Sequence, residues 1–225
     1  YKFFTYNTVD GAGGIGVPAS VTQYIAPMQA FWVKVENEGT GSIAVDNNMR
    51  EHKDVSGNIL KAPKQNSTQL IRLQVSNTID SDETVIYFNS NAQNGFDKYD
   101  SPKMFNSAAT FPEIYSKAEA EKLVINGLTA VQDNMELTLG FNTNQADNFT
   151  IKANEINNFD TNTRIYLRDK VANTETEMLP ETEYGFNSAI TANNESRFSI
   201  LFKTPSAISA TENLLNEKIS VFVSA

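Results

Sequence analysis

The feature that most constrains the fold is a pair of β-strand patterns joined by a short polar turn. From Leu70 to Ser76, apolar and polar residues alternate, which is the period of two that buries one face of a sheet. From Glu83 to Phe88 the chain is β-branched and aromatic without a polar break, so we expect this strand to lie deeper than its neighbour. Turn-forming residues at 77–82 connect the two. The pattern predicts a hairpin whose first strand has a solvent-facing side.

The same alternation returns along the rest of the chain. It is clearest where Phe198, Ile200 and Phe202 alternate with polar residues. Short strands at this spacing, with Asn-rich turns and no long helix, favour an all-β fold, an antiparallel β-sandwich or jelly roll. The one run of strong helix formers is Ala118 to Glu121, within Tyr115 to Lys122, and we expect a helical turn or two there.

The chain is long enough for one long sandwich or for two sandwich units. A polar stretch at 47–67, with Gly57 and Pro63, is typical of a long connection. We therefore predict three parts, which are an incomplete N-terminal β unit over residues 1–62, a β-sandwich domain over 63–205 and a linker over 206–225. Because the chain begins at Tyr1, we interpret it as an interior piece of a longer precursor.

Charge and cysteine content limit the function classes. The chain has 18 Lys and Arg against 27 Asp and Glu, a formal net charge of −9, which disfavours nucleic acid and anionic membrane surfaces as partners. No apolar run approaches the roughly 20 residues that span a bilayer, so we expect no membrane insertion. The absence of cysteine excludes disulfides, thiol nucleophiles and iron–sulfur ligation.

A glycine motif near the N-terminus resembles a dinucleotide-binding fingerprint. Gly11, Gly13 and Gly16 have the required spacing, and Glu36 lies where a ribose-binding acid is found. The fingerprint needs a crossover helix, and the segment between Pro18 and Pro27 is too short and too β-prone to supply one. We interpret the motif as a glycine loop.

Catalytic candidates are few and unpaired. His52 is the one histidine, and no Gly-x-Ser-x-Gly elbow accompanies it. A glycosidase needs two paired carboxylates, and the sequence pairs none of the available acids. These acids are Glu83, Glu113, Glu136, Glu155 and Glu183. We therefore predict that the chain is not an enzyme, and we assign no catalytic, cofactor-binding or metal-binding residue.

Two further hypotheses concern ligands. Asp97 and Asp100, with Asp80 and Asp82 from the preceding turn, carry oxygens of the kind that bind calcium, although Asp in a turn usually caps backbone amides. Aromatic side chains on exposed strands or loops stack on sugar rings. The candidates for such stacking are Trp32, Tyr99 and Tyr166.

Five stretches occur in a specific order and spacing: Tyr24–Val35, Asn48–His52, Ser81–Phe88, Gly95–Phe105 and Leu139–Phe141. Together they resemble the β-rich region just upstream of the sorting domain in surface and secreted proteins exported by the type IX system of the Bacteroidota. The resemblance implies an extracellular protein with a cleaved N-terminal signal. It also implies a C-terminal sorting domain that begins near residues 218–225. The family shares no catalytic residues, so none is transferred.

We therefore expect a non-catalytic structural or adhesive module that forms a stalk before the sorting domain at the cell surface. The alternative is a carbohydrate-binding module that uses exposed aromatic residues. The expected partners are a glycan or cell-surface ligand and the upstream and downstream domains of the same precursor. No cofactor is expected.

Overall fold

The computed structural model describes residues 3–7, 14–25, 31, 39–50, 68–106 and 110–204. In this part of the chain the fold is all-β, which confirms the predicted fold class, and its only helical element is a 3-10 turn at Asn47–Met49. The strands are β1 (Thr5–Asn7), β2 (Ile15–Val17), β3 (Gln69–Ser76), β4 (Ser81–Phe88), β5 (Ser101–Pro102), β6 (Glu113–Ala118), β7 (Glu121–Leu128), β8 (Met135–Thr143), β9 (Asp147–Asn157), β10 (Arg164–Asp169), β11 (Thr174–Glu177), β12 (Glu183–Ser188) and β13 (Thr191–Lys203).

One large sheet contains all strands except the first two. Its order is β11-β10-β13-β8-β6-β7-β4-β3-β9-β12, with β5 paired to β7 on one side. The neighbours β4 and β7 run parallel, whereas the other pairs in this sheet are antiparallel. Strands β1 and β2 form a separate two-stranded ribbon, which we call the N-terminal ribbon.

The large sheet curls until its two ends nearly meet, in a barrel-like arrangement. Phe186 of β12, at one end, lies 4.7 Å from Phe198 of β13, measured between ring centroids. The hydroxyl of Tyr184 donates to Asp169 Oδ2 of β10 at 3.0 Å. One continuous apolar core therefore fills the interior of the curled sheet, with side chains from both of its ends.

The hairpin predicted at residues 70–88 is present as β3 and β4. Ile71, Leu73 and Val75 are fully buried in the inner core, and β4 is buried from Glu83 to Phe88, as expected. The prediction of a solvent-facing side on β3 is wrong at Arg72, which is only 4% exposed. The physical reason is the N-terminal ribbon, which covers this outer face, so that Arg72 Nη1 donates to the carbonyl oxygen of Gly16 at 2.9 Å.

The expected helical turn at Ala118–Glu121 is also wrong. These residues form a tight hairpin between β6 and β7, in which Ala118 pairs with Glu121. Glu119 has a φ of 53°, the left-handed conformation that such two-residue turns require. Strand pairing on both sides overrides the helix propensity of four residues, which is too short a run to nucleate a helix.

A second, smaller apolar cluster lies between the N-terminal ribbon and the outer face of the sheet. Ile15 and Val17 of the ribbon pack there against Leu70, Val85 and Tyr87. The predicted boundary at residue 62 and the predicted linker over 206–225 lie outside the described residues, and the division into domains stays a prediction.

Candidate functional site

The carboxylates proposed for calcium bind backbone amides. Asp100 accepts from the backbone N–H groups of Asp97 and Gly127, both at 2.8 Å. Asp97 accepts from the backbone N–H groups of Tyr99, at 2.7 Å, and Gln93, at 2.8 Å. Among the residues that the structure describes, no group of three or more His, Cys, Asp or Glu side chains is placed to hold a metal ion. The loop at 93–100 is thus organised by its own carboxylates.

Burial raises the pKa of one carboxyl group in this loop, that of Asp100. Asp100 is 7% exposed, and burial raises its pKa from 3.8 to about 6, with a further rise from the charge of Asp97. The two backbone hydrogen bonds to the carboxylate lower the pKa in part. Tyr87 packs nearby, and its hydroxyl donates to the carbonyl oxygen of Tyr99 at 2.8 Å. The carboxyl group of Asp100 therefore changes charge in a mildly acidic range.

The two aromatic candidates within the described residues, Tyr99 and Tyr166, do not form an exposed platform. Tyr99 is buried, with 4% of its surface exposed. Tyr166 is half-buried, and the ammonium of Lys203 lies 4.4 Å from the centroid of its ring. Trp32 lies outside the described residues, as does His52. Of the two candidates that the structure describes, the partly open ring of Tyr166 is therefore already in contact with a cation.

The structure brings together acids that the sequence did not pair. Arg72 donates from Nε to Glu155 Oε2 at 2.8 Å, and its Nη1 lies 3.5 Å from Glu83 Oε2. The other oxygen of Glu83 accepts from Asn154 Nδ2 at 3.0 Å. The two acids are thus joined through a buried guanidinium, which also binds the N-terminal ribbon through the carbonyl oxygen of Gly16.

A small cavity lies beside this ion pair, between the N-terminal ribbon, β4 and the start of β6. Its volume is about 20 Å³, which is room for about one water molecule. Four charged side chains line it together with apolar residues. The charged ones are Asp82, Glu83, Lys103 and Glu113, and the apolar ones include Phe3, Val17, Phe111 and Val124. We call it the lysine cavity.

Lys103 and Asp82 are in direct contact in the lysine cavity. The ammonium of Lys103 donates to Asp82 Oδ2, and the same oxygen accepts from the backbone N–H of Ile114 at 2.9 Å. The side chains of Lys103 and Asp82 are 5% and 17% exposed. The backbone N–H of Lys103 donates to the carbonyl oxygen of Lys122 at 2.8 Å, which fixes the lysine against β7.

Glu113 completes this group. It is 6% exposed and accepts from the backbone N–H of Asn106 and from Asn142 Nδ2. Burial raises the pKa of Glu113, the charge of Asp82 raises it further, and Lys103 lowers it. No sequence spacing signals this group, because strand pairing far along the chain brings its members together.

An open groove lies on the opposite part of the outer face. Its volume is about 320 Å³, and it is lined by side chains of β6, β8 and β13 and of the 119–120 turn. Its lining residues are Lys117, Glu119, Glu136, Leu137, Thr138 and Glu195. Hydrogen bonds and the ammonium charges of Lys117 and Lys122 outweigh burial and hold the pKa of Glu195 below its usual value. We call this feature the outer groove.

Ion pairs cover the strands next to the outer groove. Arg168 binds both Glu136 and Glu175, and Lys203 binds Glu175 at 3.1 Å. Lys170 binds Glu136 at 2.9 Å. We call these five residues the outer lattice. Hydrogen bonds from Arg168 and Lys203 lower the pKa of Glu175, and those from Ser199 and Lys170 lower the pKa of Glu136.

Comparison with known proteins gives a family and no named relative. The model of one protein family, a domain of unknown function (DUF8693), matches residues 1–202, a range that includes the predicted boundary at residue 62. No curated protein and no solved structure matches the chain. Within the described residues, no helix has the length and apolarity needed to cross a membrane. Since the family model matches most of the 225 residues, the chain belongs to the DUF8693 family.

Proposed function

We propose that this chain is a non-catalytic structural or adhesive module of an exported protein, and that it serves as a stalk before a sorting domain at the cell surface. The assignment to export rests on the sequence resemblance described above. On this proposal, the partners of the chain are the neighbouring domains of its precursor.

The observation that carries the proposal is the use of reactive side chains for internal contacts. Asp97 and Asp100 bind backbone amides, and Glu83 and Glu155 bind Arg72. The lysine cavity, at about 20 Å³, is far smaller than the roughly 300–1,000 Å³ of typical ligand pockets. These features support a module that is built to hold its shape.

Thermal melting tests the proposal. The purified chain is melted alone, with calcium chloride, and with a panel of soluble glycans. A ligand that binds only the folded state raises stability by about 2.7 kcal/mol at a hundredfold excess over its dissociation constant. The structural role predicts an unchanged midpoint with every addition. A saturable rise with calcium would contradict it.

A second candidate is carbohydrate binding at the outer groove. Its volume of about 320 Å³ is at the lower end of the range for ligand pockets. The hydroxyl of Thr138 and the carboxylate of Glu119 line it and offer hydrogen bonds to sugar hydroxyls. This site differs from the aromatic stacking expected from the sequence, because its lining has no aromatic ring.

The same melting panel separates the two candidates. If one class of glycan raises the midpoint, Thr138→Val and Glu119→Gln should each abolish that rise. Glu175→Gln, on the same outer face but outside the groove lining, is the matched control and should keep it. A rise that survives both groove variants would reject the outer groove as the site.

A further inference from the structure

We propose that Lys103 and Asp82 form an intramolecular isopeptide bond, and that Glu113 promotes its formation. This inference goes beyond the proposed function and does not depend on it. It makes the lysine cavity a site of self-modification, with no cofactor or partner enzyme.

The first support is the placement of the two reacting groups. Lys103 Nζ and the Asp82 carboxylate are in contact, on chain segments that strand pairing holds in place. Groups fixed in a reactive geometry gain effective concentrations of about 10⁵–10⁸ M relative to free reactants. Amide formation between an amine and a carboxyl group, unfavourable in dilute water, becomes accessible under these conditions.

The second support is burial. The side chains of Lys103 and Asp82 are 5% and 17% exposed, and Phe3, Val17 and Phe111 line the same cavity. Exclusion of water from this contact protects an amide formed there from hydrolysis. A neutral amine is the nucleophile that the reaction needs, and a neutral carboxyl group is the better acceptor.

The third support is Glu113. It is buried and lines the same cavity as the reacting pair, and burial raises its pKa. In this proposal, Glu113 is the group that carries protons between the two partners. The backbone N–H of Ile114, bound to Asp82 Oδ2, is placed to stabilise negative charge that develops on that oxygen.

The reaction balances without an oxidant or an activating group. Proton transfer through Glu113 gives a neutral Lys103 amine and a neutral Asp82 carboxylic acid. The Lys103 Nζ lone pair attacks Asp82 Cγ, and a C–N bond forms. The Cγ–OH bond then breaks, and the hydroxyl group leaves as water with a proton that Glu113 relays from Nζ. The products are one amide and one water molecule, and Glu113 is regenerated.

A second lysine contact in the same molecule serves as an internal comparison. Lys122 Nζ contacts Asn193 Oδ1 and lies 3.7 Å from Glu195 Oε1, so it also has an acceptor and a carboxylate nearby. Its side chain is 27% exposed, and Asn193 is exposed. Water reaches this lysine, so we expect no bond there. The comparison sets an exposed lysine contact, whose direct acceptor is an amide oxygen, against the buried contact of Lys103 with a carboxylate.

Mass spectrometry of the intact folded chain tests the proposal. The expected mass is lower than the sequence mass by one water molecule. After denaturation and proteolysis, a branched peptide should join the segments around residues 82 and 103, and Lys103 should resist cleavage and amine labelling. A folded wild-type chain of full sequence mass, with a reactive Lys103 amine after denaturation, would overturn the proposal.

Three variants separate the roles of the residues. Lys103→Arg and Glu113→Gln should each restore the full mass calculated for the variant. Lys122→Met should still lack one water molecule, which excludes a bond at the exposed contact. Circular dichroism identifies the variants that fold, and the wild-type mass decides the proposal even where a variant does not. A folded Glu113→Gln chain that still loses water completely would remove Glu113 from the mechanism.

Discussion

On the outer face of the large sheet, β3 and β4 lie under the N-terminal ribbon, whereas β8, β10, β11 and β13 carry the outer lattice, whose side chains are partly exposed to solvent. Both regions use Arg–Glu pairs across neighbouring strands. The side chain of Arg72, beneath the ribbon, is 5% exposed, and that of Arg168, in the outer lattice, is 32% exposed. The chemistry of the two pairs is the same, and their access to water differs.

This difference changes what each pair does for stability. An exposed pair is screened by water and salt and contributes little. A buried pair is not strongly stabilising as a whole, but the loss of one partner leaves an uncompensated buried charge. The stability of the region under the ribbon therefore depends on every member of its ion-pair network. The outer lattice tolerates the loss of one charged side chain with little change in stability.

The largest effect is expected at Arg72. Arg72→Met removes the donors to Glu155 and Gly16 and the charge beside Glu83, and should lower the free energy of unfolding by about 3–5 kcal/mol. Arg168→Met should cost less than about 1 kcal/mol. Urea unfolding of the two variants measures both values. Equal losses of unfolding free energy in the two variants would show that the ribbon does not isolate Arg72 from water.

The next effect is a pH dependence of stability that has opposite sign at Asp100, whose backbone carbonyl oxygen accepts from Asn7 of the ribbon, and at Glu136 in the outer lattice. Because the folded-state pKa of Asp100 is about 6 and its usual value is 3.8, the folded chain binds more protons between these values. The contribution of Asp100 to stability is thus complete below about pH 4 and falls as the pH rises to about 6. Asp100→Asn should remove this fall.

The control for that measurement is Glu136 in the outer lattice. Its folded-state pKa is lowered, so its contribution is present above the usual pKa of 4.5 and falls as the pH drops through the lowered value. Glu136→Gln should therefore lose stability relative to wild type at neutral pH and approach wild type in acid. Parallel wild-type and Asp100→Asn stability curves between pH 4 and pH 7 would contradict the assignment to Asp100.

The smallest effect concerns salt. Glu175→Gln removes contacts to Arg168 and Lys203, and at low salt it should cost less than about 1 kcal/mol. Near 1 M salt, where the screening length is about 3 Å, this cost should vanish. The loss of unfolding free energy caused by Arg72→Met should persist at high salt. Unfolding at two salt concentrations checks both, and a salt-sensitive cost at Arg72 would argue for an exposed pair.

The sequence predicts the strands better than it predicts their surroundings. The alternation at Phe198, Ile200 and Phe202 identifies residues that are all buried in the inner core. The sequence pattern around Arg72 resembles that around Arg168. Neither local sequence indicates that the N-terminal ribbon, which is distant along the chain, covers Arg72 and not Arg168. Burial of a strand's second face depends on tertiary packing, which local periodicity does not contain.

The lysine cavity lies beyond sequence reasoning for a similar reason. The sequence makes Asp82 a candidate calcium ligand and Glu113 a candidate glycosidase acid, and Lys103 lies in a loop-like stretch. Asp82 and Lys103 come into contact because β4 pairs with β7 in parallel and β5 pairs with β7 in antiparallel orientation. Neither pairing joins strands that are adjacent in sequence.

Hydrogen exchange tests most directly whether the buried Arg72 network holds the N-terminal ribbon on the sheet. Backbone amides of residues 15–17 and 70–75 are compared in wild type, Arg72→Met and Arg168→Met. We predict that Arg72→Met accelerates exchange in both segments, that exchange in β10 and β13 stays slow, and that Arg168→Met leaves the ribbon unchanged. Unchanged exchange at residues 15–17 in Arg72→Met would contradict the account.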